Sequence, residues 1–217
     1  MQHAKQGKVK LKQSGAIFIG SFAAMASPCE ILIETTDKKL ALNLTKMAAK
    51  EAWRIEQKYS RYNQQGMVWS INNSQGQELE LDTETARLMD FAFQCYDLSE
   101  GLFDISSGVL RQAWQFNGGS QLATQAQIEP LLAYVGLNKV HWQNNILCLS
   151  KGMEIDFGGI GKEYAVDRVL QLLRQQANLP ILVNFGGDIA ASRRTNKRPW
   201  NIGIEALDKA HTASQLL

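Results

Sequence analysis

Proline and cysteine are scarce in this 217-residue chain, at four and three residues. Cys29, Cys95 and Cys148 are widely spaced, odd in number and form no CxxC pair, so they read as buried thiols of a reducing compartment. A disulfide frame or a zinc site would need closer or paired spacing. Long apolar runs are missing too. The longest, Ala16 to Ala26, is interrupted by Gly20 and Ser21 and is about half of the ~20 residues that a membrane span requires. No polar cleavage region follows it, which argues against a signal peptide. Charge of one sign is also lacking: 23 Lys and Arg face 21 Asp and Glu, and part of the +2 excess lies between Lys5 and Lys12. A near-neutral body excludes an electrostatic nucleic-acid binder. What is present is 45% apolar and 20% charged residues, the composition of a globular chain with a real core.

Residues 1–14 read as a flexible basic arm, 15–206 as one folded domain and 207–217 as a polar tail. Ala16–Met25 and Cys29–Glu34 suggest two strands joined by a turn at Ser27-Pro28. Asp37 is placed to cap a helix through Tyr59, with Leu40, Leu44, Met47, Ala48, Ala52, Ile55 and Tyr59 on one face at helical spacing. A second helix is expected over Thr83–Leu98 with Leu88, Phe91, Ala92 and Cys95 inward, and a third over Lys162–Gln176. Val140–Trp142 and Ile146–Leu149 read as a hairpin, Ile181–Phe185 as a buried strand and Trp200–Ile204 as another. Few βαβ spacings occur, so the expected class is α+β, with mainly antiparallel sheet packed against the helices.

Chemistry concentrates where carboxylates meet glycines. In Ile155-Asp156-Phe157-Gly158-Gly159-Ile160-Gly161-Lys162 a strand delivers Asp156, glycines permit a tight backbone path, and a helix begins. N–H groups at a helix start, with Lys162, can hold phosphate oxygens. Asp156 would repel a phosphate unless a cation intervenes, or unless it accepts a hydrogen bond from a base or ring N–H. A plain strand-to-helix turn with Asp156 as the helix N-cap explains the same residues. In Val183-Asn184-Phe185-Gly186-Gly187-Asp188-Ile189 a hairpin turn is the stronger reading. Asp104, in Gly101-Leu102-Phe103-Asp104-Ile105, either caps the helix after it or faces a ligand. Tyr59-Ser60-Arg61-Tyr62 leaves a helix with an aromatic that can stack on a flat heterocycle. His3, His141 and His211 are isolated in the sequence, so a hydrolytic triad is not expected.

Taken in order, these runs resemble those of the FAD:protein FMN transferase (ApbE-like) family: Ser60-Arg61-Tyr62, Gly101-Leu102-Phe103-Asp104, Asp156 through Asp167, Asn184-Phe185-Gly186-Gly187-Asp188 and Pro199-Trp200, preceded by Met25-Ala26-Ser27-Pro28. The resemblance implies an ApbE-like fold related to the T-fold. It also implies that the protein binds FAD as substrate, splits its pyrophosphate with Mg²⁺, and transfers FMN to a threonine of an acceptor flavoprotein, such as a subunit of a redox-driven ion pump. Residue by residue, it implies FAD contacts at Met25, Tyr62, Leu102, Phe103, Asp104, Asp156 and Lys162, and a metal ligand at the backbone carbonyl of Gly159. It assigns no catalytic residue here. In the family, a later segment with an H-I-x-D-P histidine and an Asp and a Thr that ligate Mg²⁺ follows the tryptophan strand. This sequence stops at Leu217 without it. A non-catalytic flavin-binding module, or a truncated inactive member, is therefore the alternative expectation. The expected location is the cytoplasm.

Overall fold

The computed structural model describes residues 7–114, 123–194, 199–206 and 209–216. The chain divides into two compact units, one formed by residues 1–52 and 165–217 and the other by residues 53–164.

The first unit is organised by a five-stranded sheet in the order β1-β2-β3-β7-β8, with every neighbouring pair antiparallel. Its strands are β1 (Lys10–Ser14), β2 (Ile17–Ala24), β3 (Ser27–Glu34), β7 (Ile181–Phe185) and β8 (Asp188–Ala191). Strand alternation selects the buried face: Phe18, Phe22 and Ala24 on β2, and Cys29, Ile31 and Ile33 on β3. The register sets Phe18 opposite Ile33 and Phe22 opposite Cys29, so these side chains share that face. The Phe22 and Phe185 rings meet edge-on at 5.8 Å. A Cβ on Gly20 would overlap the Thr45 side chain, so the glycine is what lets α1 (Lys38–Tyr59) lie close on β2. Asp37 starts that helix, its Oδ1 accepting from the Leu40 N–H at 3.0 Å. Leu44, Ala48, Ala52, Ile55 and Tyr59 are buried as the periodicity predicts, while Leu40 and Met47 are half-buried. Helix α5 (Gly161–Gln176) buries Ala165, Val166, Val169 and Leu173. Its Arg168 pairs with Glu51 of α1 at 3.3 Å. A two-stranded antiparallel ladder, β9 (Gly203–Ala206) with β10 (Lys209–Leu216), completes the unit.

The second unit holds a three-stranded antiparallel sheet in the order β4-β6-β5: β4 (Glu78–Glu80), β5 (His141–Gln143) and β6 (Ile146–Cys148). Its helices are α2 (Met67–Asn72), α3 (Thr83–Leu98) and α4 (Gln125–Leu132), with a 3₁₀ run over Ile105–Gln112. Asp82 caps α3 by accepting from the N–H groups of Glu84 and Thr85. Among the described residues, no helix is long and apolar enough to cross a membrane.

Several expectations change. The β2–β3 turn is Met25-Ala26, both at positive φ, and Ser27-Pro28 opens β3 instead. Pro28 is accommodated because its carbonyl, not the missing N–H, makes the bond, accepting from Gly186 N–H at 3.0 Å. The basic arm ends sooner than expected, since Lys10–Ser14 forms an edge strand on β2. Its outward Lys10 and Lys12 suit an exposed sheet edge. Residues 1–6, with His3, lie outside the described residues. The strand expected at Trp200 begins at Gly203, and the polar tail contributes β10. On α3 the buried stripe is Thr85, Leu88, Met89 and Ala92, whereas Phe91 is 47% exposed and Cys95 half-buried. Phe91 lies one residue, about 100°, off that stripe. Only Cys29 of the three cysteines is fully buried.

Candidate functional site

Within the second unit, Arg61, Phe103, Asp104, Ile105, Ser107, Gly108, Leu110, Arg111, Trp114, Asp156, Gly158 and Gly159 enclose a cleft of about 350 Å³. The sequence shows why the chain folds around it. Gly101, at φ +81°, ends α3, and its N–H reaches back to the Tyr96 carbonyl at 2.8 Å. Ser99 Oγ then accepts from the Phe103 N–H at 2.8 Å and fixes the next bend. Asp104 caps the 3₁₀ run, the first of the two alternatives left open for it, and also lines the cleft. Its Oδ1 accepts from Ser106 N–H at 2.8 Å and its Oδ2 from Leu137 N–H at 3.0 Å.

Residues 153–157 form no strand, contrary to the expected strand delivery of Asp156. A side chain takes the place of a neighbouring strand. Asn72 of α2 accepts from the Ile155 N–H at 2.8 Å and donates Nδ2 to the Ile155 carbonyl at 3.0 Å. Asp156 N–H donates to the Ile105 carbonyl at 2.9 Å. A Cβ on Gly108 would sit 3.0 Å from the Asp156 backbone nitrogen and Cβ, so glycine allows the 3₁₀ run to lie flat against Asp156. Helix α5 begins at Gly161, five residues on, so Asp156 is not its N-cap. The carboxylate instead holds the glycine turn, Oδ1 accepting from Gly158 N–H at 3.0 Å, and Oδ2 pairs with Arg61 Nη1 at 2.6 Å. A Cβ on Gly159 would lie 2.8 Å from Phe103 Cε2, so this glycine lets the Phe103 ring close one wall.

The structure thus brings Phe103, Asp104, Asp156 and Gly159 together from two distant runs. Tyr62 and Leu102 are 70% and 92% exposed and are not among the enclosing residues. The Arg61 guanidinium stands 5.2 Å from the Tyr62 ring centroid. Lys162 is half-buried in the first turn of α5. Met25 belongs to the first unit, half-buried in the β2–β3 turn. Asn184-Phe185-Gly186-Gly187-Asp188 is the β7–β8 hairpin turn, with both glycines at positive φ, as expected from the residues alone. Two cations line the cleft: Arg61, which the sequence offers only as part of the Ser60-Arg61-Tyr62 run, and Arg111, which no sequence pattern singles out. Arg111 is held in a fork by Glu154 at 2.6 and 3.0 Å, 43 residues away, a pairing that no local pattern announces.

A second polar cluster of the same unit centres on Glu84. Arg54 forks onto both its oxygens, Lys58 donates to Oε2 at 2.7 Å, and the Tyr164 hydroxyl donates to Oε1. Burial pushes the Glu84 carboxyl up, but these donors together outweigh it and bring the pKa down to about 2. Burial, reinforced by the Glu84 bond, raises the Tyr164 hydroxyl, so it remains a donor. Lys58 is raised despite its burial, because it donates to both Asp82 and Glu84.

The cleft is thus walled by glycines and phenylalanine, with an ion-paired aspartate inside it. The chain belongs to the ApbE family, whose model matches residues 25–217. It is 26% identical over 182 residues to the FAD:protein FMN transferase of Haemophilus influenzae, covering 79% of this chain and 51% of that protein. With the FAD:protein FMN transferase of Chlamydia pneumoniae it shares 28% identity over 159 residues, 70% of this chain and 50% of the relative. The chain thus spans about half the length of these curated relatives. Its fold is that of the ApbE protein of Thermotoga maritima, with a TM-score of 0.83 at 24% identity over 92% of this chain and 66% of the other. The apo flavinyl transferase ApbE of Pseudomonas stutzeri superposes with a TM-score of 0.74 at 21% identity, covering 94% of this chain and 67% of that one.

Proposed function

We propose that this chain binds FAD and takes part in transferring its FMN half to a threonine of an acceptor flavoprotein. The observation that carries the reading is the cleft, in which the Gly101–Asp104 and Asp156–Gly159 runs of the family resemblance converge from positions about 50 residues apart. The match to the family model and the relatives named FAD:protein FMN transferase supply the reaction class. In this reading Asp156 and Asp104 accept hydrogen bonds from N–H groups of the ligand, while Phe103 and the exposed Tyr62 offer flat apolar faces. Leu102 and Lys162 are further FAD contacts that the resemblance implies within the second unit. The chemistry is an exchange at phosphorus: the threonine oxygen bonds to the FMN phosphorus, the bond to the bridging oxygen breaks, AMP leaves and the threonine proton passes to solvent.

Magnesium would neutralise charge on the pyrophosphate, but the described residues do not by themselves make its site. Among them no group of three or more His, Cys, Asp or Glu is placed to hold a metal ion. Of the two cleft carboxylates, Asp156 is paired with Arg61 and Asp104 is bonded to two backbone N–H groups. The Gly159 carbonyl would be a single donor. A cytoplasmic location is part of the same proposal.

The test mixes the purified chain with FAD, Mg²⁺ and an acceptor flavoprotein subunit. It reads bound FAD by fluorescence quenching, AMP release by chromatography, and covalent flavin as fluorescence on a denaturing gel. Saturable FAD binding with AMP and covalent flavin formed in equal amounts is the expected result. Binding without either product would assign the alternative, a flavin-binding module; failure to bind FAD would overturn the reading.

A further inference from the structure

The turn that follows α1 is built to aim two neighbouring side chains in different directions. Ser60 N–H continues the helix onto the Glu56 carbonyl at 2.8 Å, and Asn63 N–H closes back onto the Ser60 carbonyl at 3.1 Å. Asn63 Nδ2 caps the Gln57 carbonyl at 2.7 Å, and Tyr62 N–H reaches Ser60 Oγ at 3.3 Å. The result points Tyr62 outward, 70% exposed, and carries Arg61 into the cleft wall with only 19% of its side chain accessible.

We infer that Arg61 is a positioning residue for the flavin cleft, acting through Asp156 rather than by touching the ligand. The inference rests on the FAD reading above. Among the described residues Asp156 has two donors, one per carboxylate oxygen: Gly158 N–H at 3.0 Å and Arg61 Nη1 at 2.6 Å. With both in place the carboxylate cannot rotate about its last torsion, and each oxygen keeps one lone-pair direction for a ligand N–H. Without Arg61 only the Gly158 bond remains, and the acceptor geometry is lost. The guanidinium is backed on its other side by the Tyr62 ring at 5.2 Å, which limits its own freedom. A lysine at this position would keep the charge but not a planar donor that pairs and stacks at once.

The test is a cycle of FAD affinities measured by flavin fluorescence on the full chain, using wild type, Arg61→Ala, Asp156→Asn and the double variant, with Arg61→Lys as a milder probe. Thermal unfolding of each checks that the fold persists. Arg61→Ala is expected to weaken FAD binding about tenfold, the scale of one charged hydrogen bond. In the Asp156→Asn background the same change should cost less than twofold, because residues that act through one another are not additive. Arg61→Lys should fall between wild type and Arg61→Ala. An equal loss in both backgrounds would show that Arg61 binds the ligand itself, and unchanged affinity in Arg61→Ala would show that it does nothing; either overturns the inference. Wild type that binds no FAD would overturn the underlying reading, an outcome distinct from these.

Discussion

Replacing Glu84 by glutamine tests the polar cluster that joins α1, α3 and the first turn of α5 within the second unit. The substitution keeps the shape and removes the charge, leaving Arg54, Lys58 and the Tyr164 hydroxyl facing a neutral amide. The native carboxyl falls from 4.5 to about 2, which at about 1.4 kcal/mol per pH unit corresponds to about 3 kcal/mol. Glu84 keeps 23% of its side-chain surface in solvent and Arg54 keeps 41%, so screening reduces this to about 1.5 kcal/mol. The sign follows from linkage. A carboxyl whose folded pKa is depressed contributes its stability above the unfolded value and loses it as pH falls through the folded value. The advantage of wild type over Glu84→Gln is therefore full above about pH 5.5 and declines from 4.5 toward 2. By pH 3 it should be less than half its neutral value. Urea denaturation of both proteins at pH 7, 5, 4 and 3 measures this. Asp82, also depressed and bonded to Lys58, titrates in both proteins and largely cancels from the difference. A stability gap that stays constant from pH 7 to pH 3 would refute the argument that the charge of Glu84 supplies it.

Two further changes probe how the chain is held. Asn72→Ala removes both bonds to the buried Ile155 backbone and should cost about 2 kcal/mol in chemical denaturation, because an N–H and a carbonyl lose their partners without gaining water. FAD binding should fall with it, since Asp156 is the next residue. Gly186→Ala should destabilise the first unit by about 1–2 kcal/mol, read as a lower unfolding midpoint. Its φ of +63° disfavours a Cβ, and that Cβ would sit 2.8 Å from the Ser27 Cβ.

Elements with a strong local signature were legible in the sequence. Asp37 announces α1 by the oxygen that it offers a helix start. The two-residue alternation of β2 and β3 follows from a half-buried sheet, and Ile181–Phe185 reads as a strand because it is apolar except at Asn184. Short elements defined by distant partners were not legible. Met67–Asn72 is a helix of six residues, too short to show a period. The sequence could not reveal that Asn72 would serve as the neighbour of Ile155, 83 residues away. The misplaced β2–β3 turn has a similar origin. Proline is an ordinary turn signal, and nothing in the spacing of Met25-Ala26 shows that two side-chain-bearing residues adopt positive φ there. For the site, Asp104, Asp156 and their glycines were marked by residue type, whereas the places of Arg61 and Arg111 in the cleft became visible only through the acids that they meet in space.

The ladder between β3 and β7 has a consequence for how the molecule is made. Ile31 pairs with Val183 and Ile33 with Ile181, so the middle of the large sheet is closed by residues about 150 positions apart. The intervening 53–164 segment is one continuous stretch and forms a compact unit of its own. On the ribosome, β1, β2 and β3 emerge early as an antiparallel meander whose last strand has an open edge and the apolar residues Cys29, Ile31 and Ile33. That edge stays unpartnered while more than a hundred further residues are added, at about 5–20 residues per second. For several seconds the nascent chain therefore carries the kind of naked strand that templates aggregation. The lysines of β1 guard the opposite border only. Synthesis speed and chaperone supply should thus govern the yield of this protein more than the stability of its finished form.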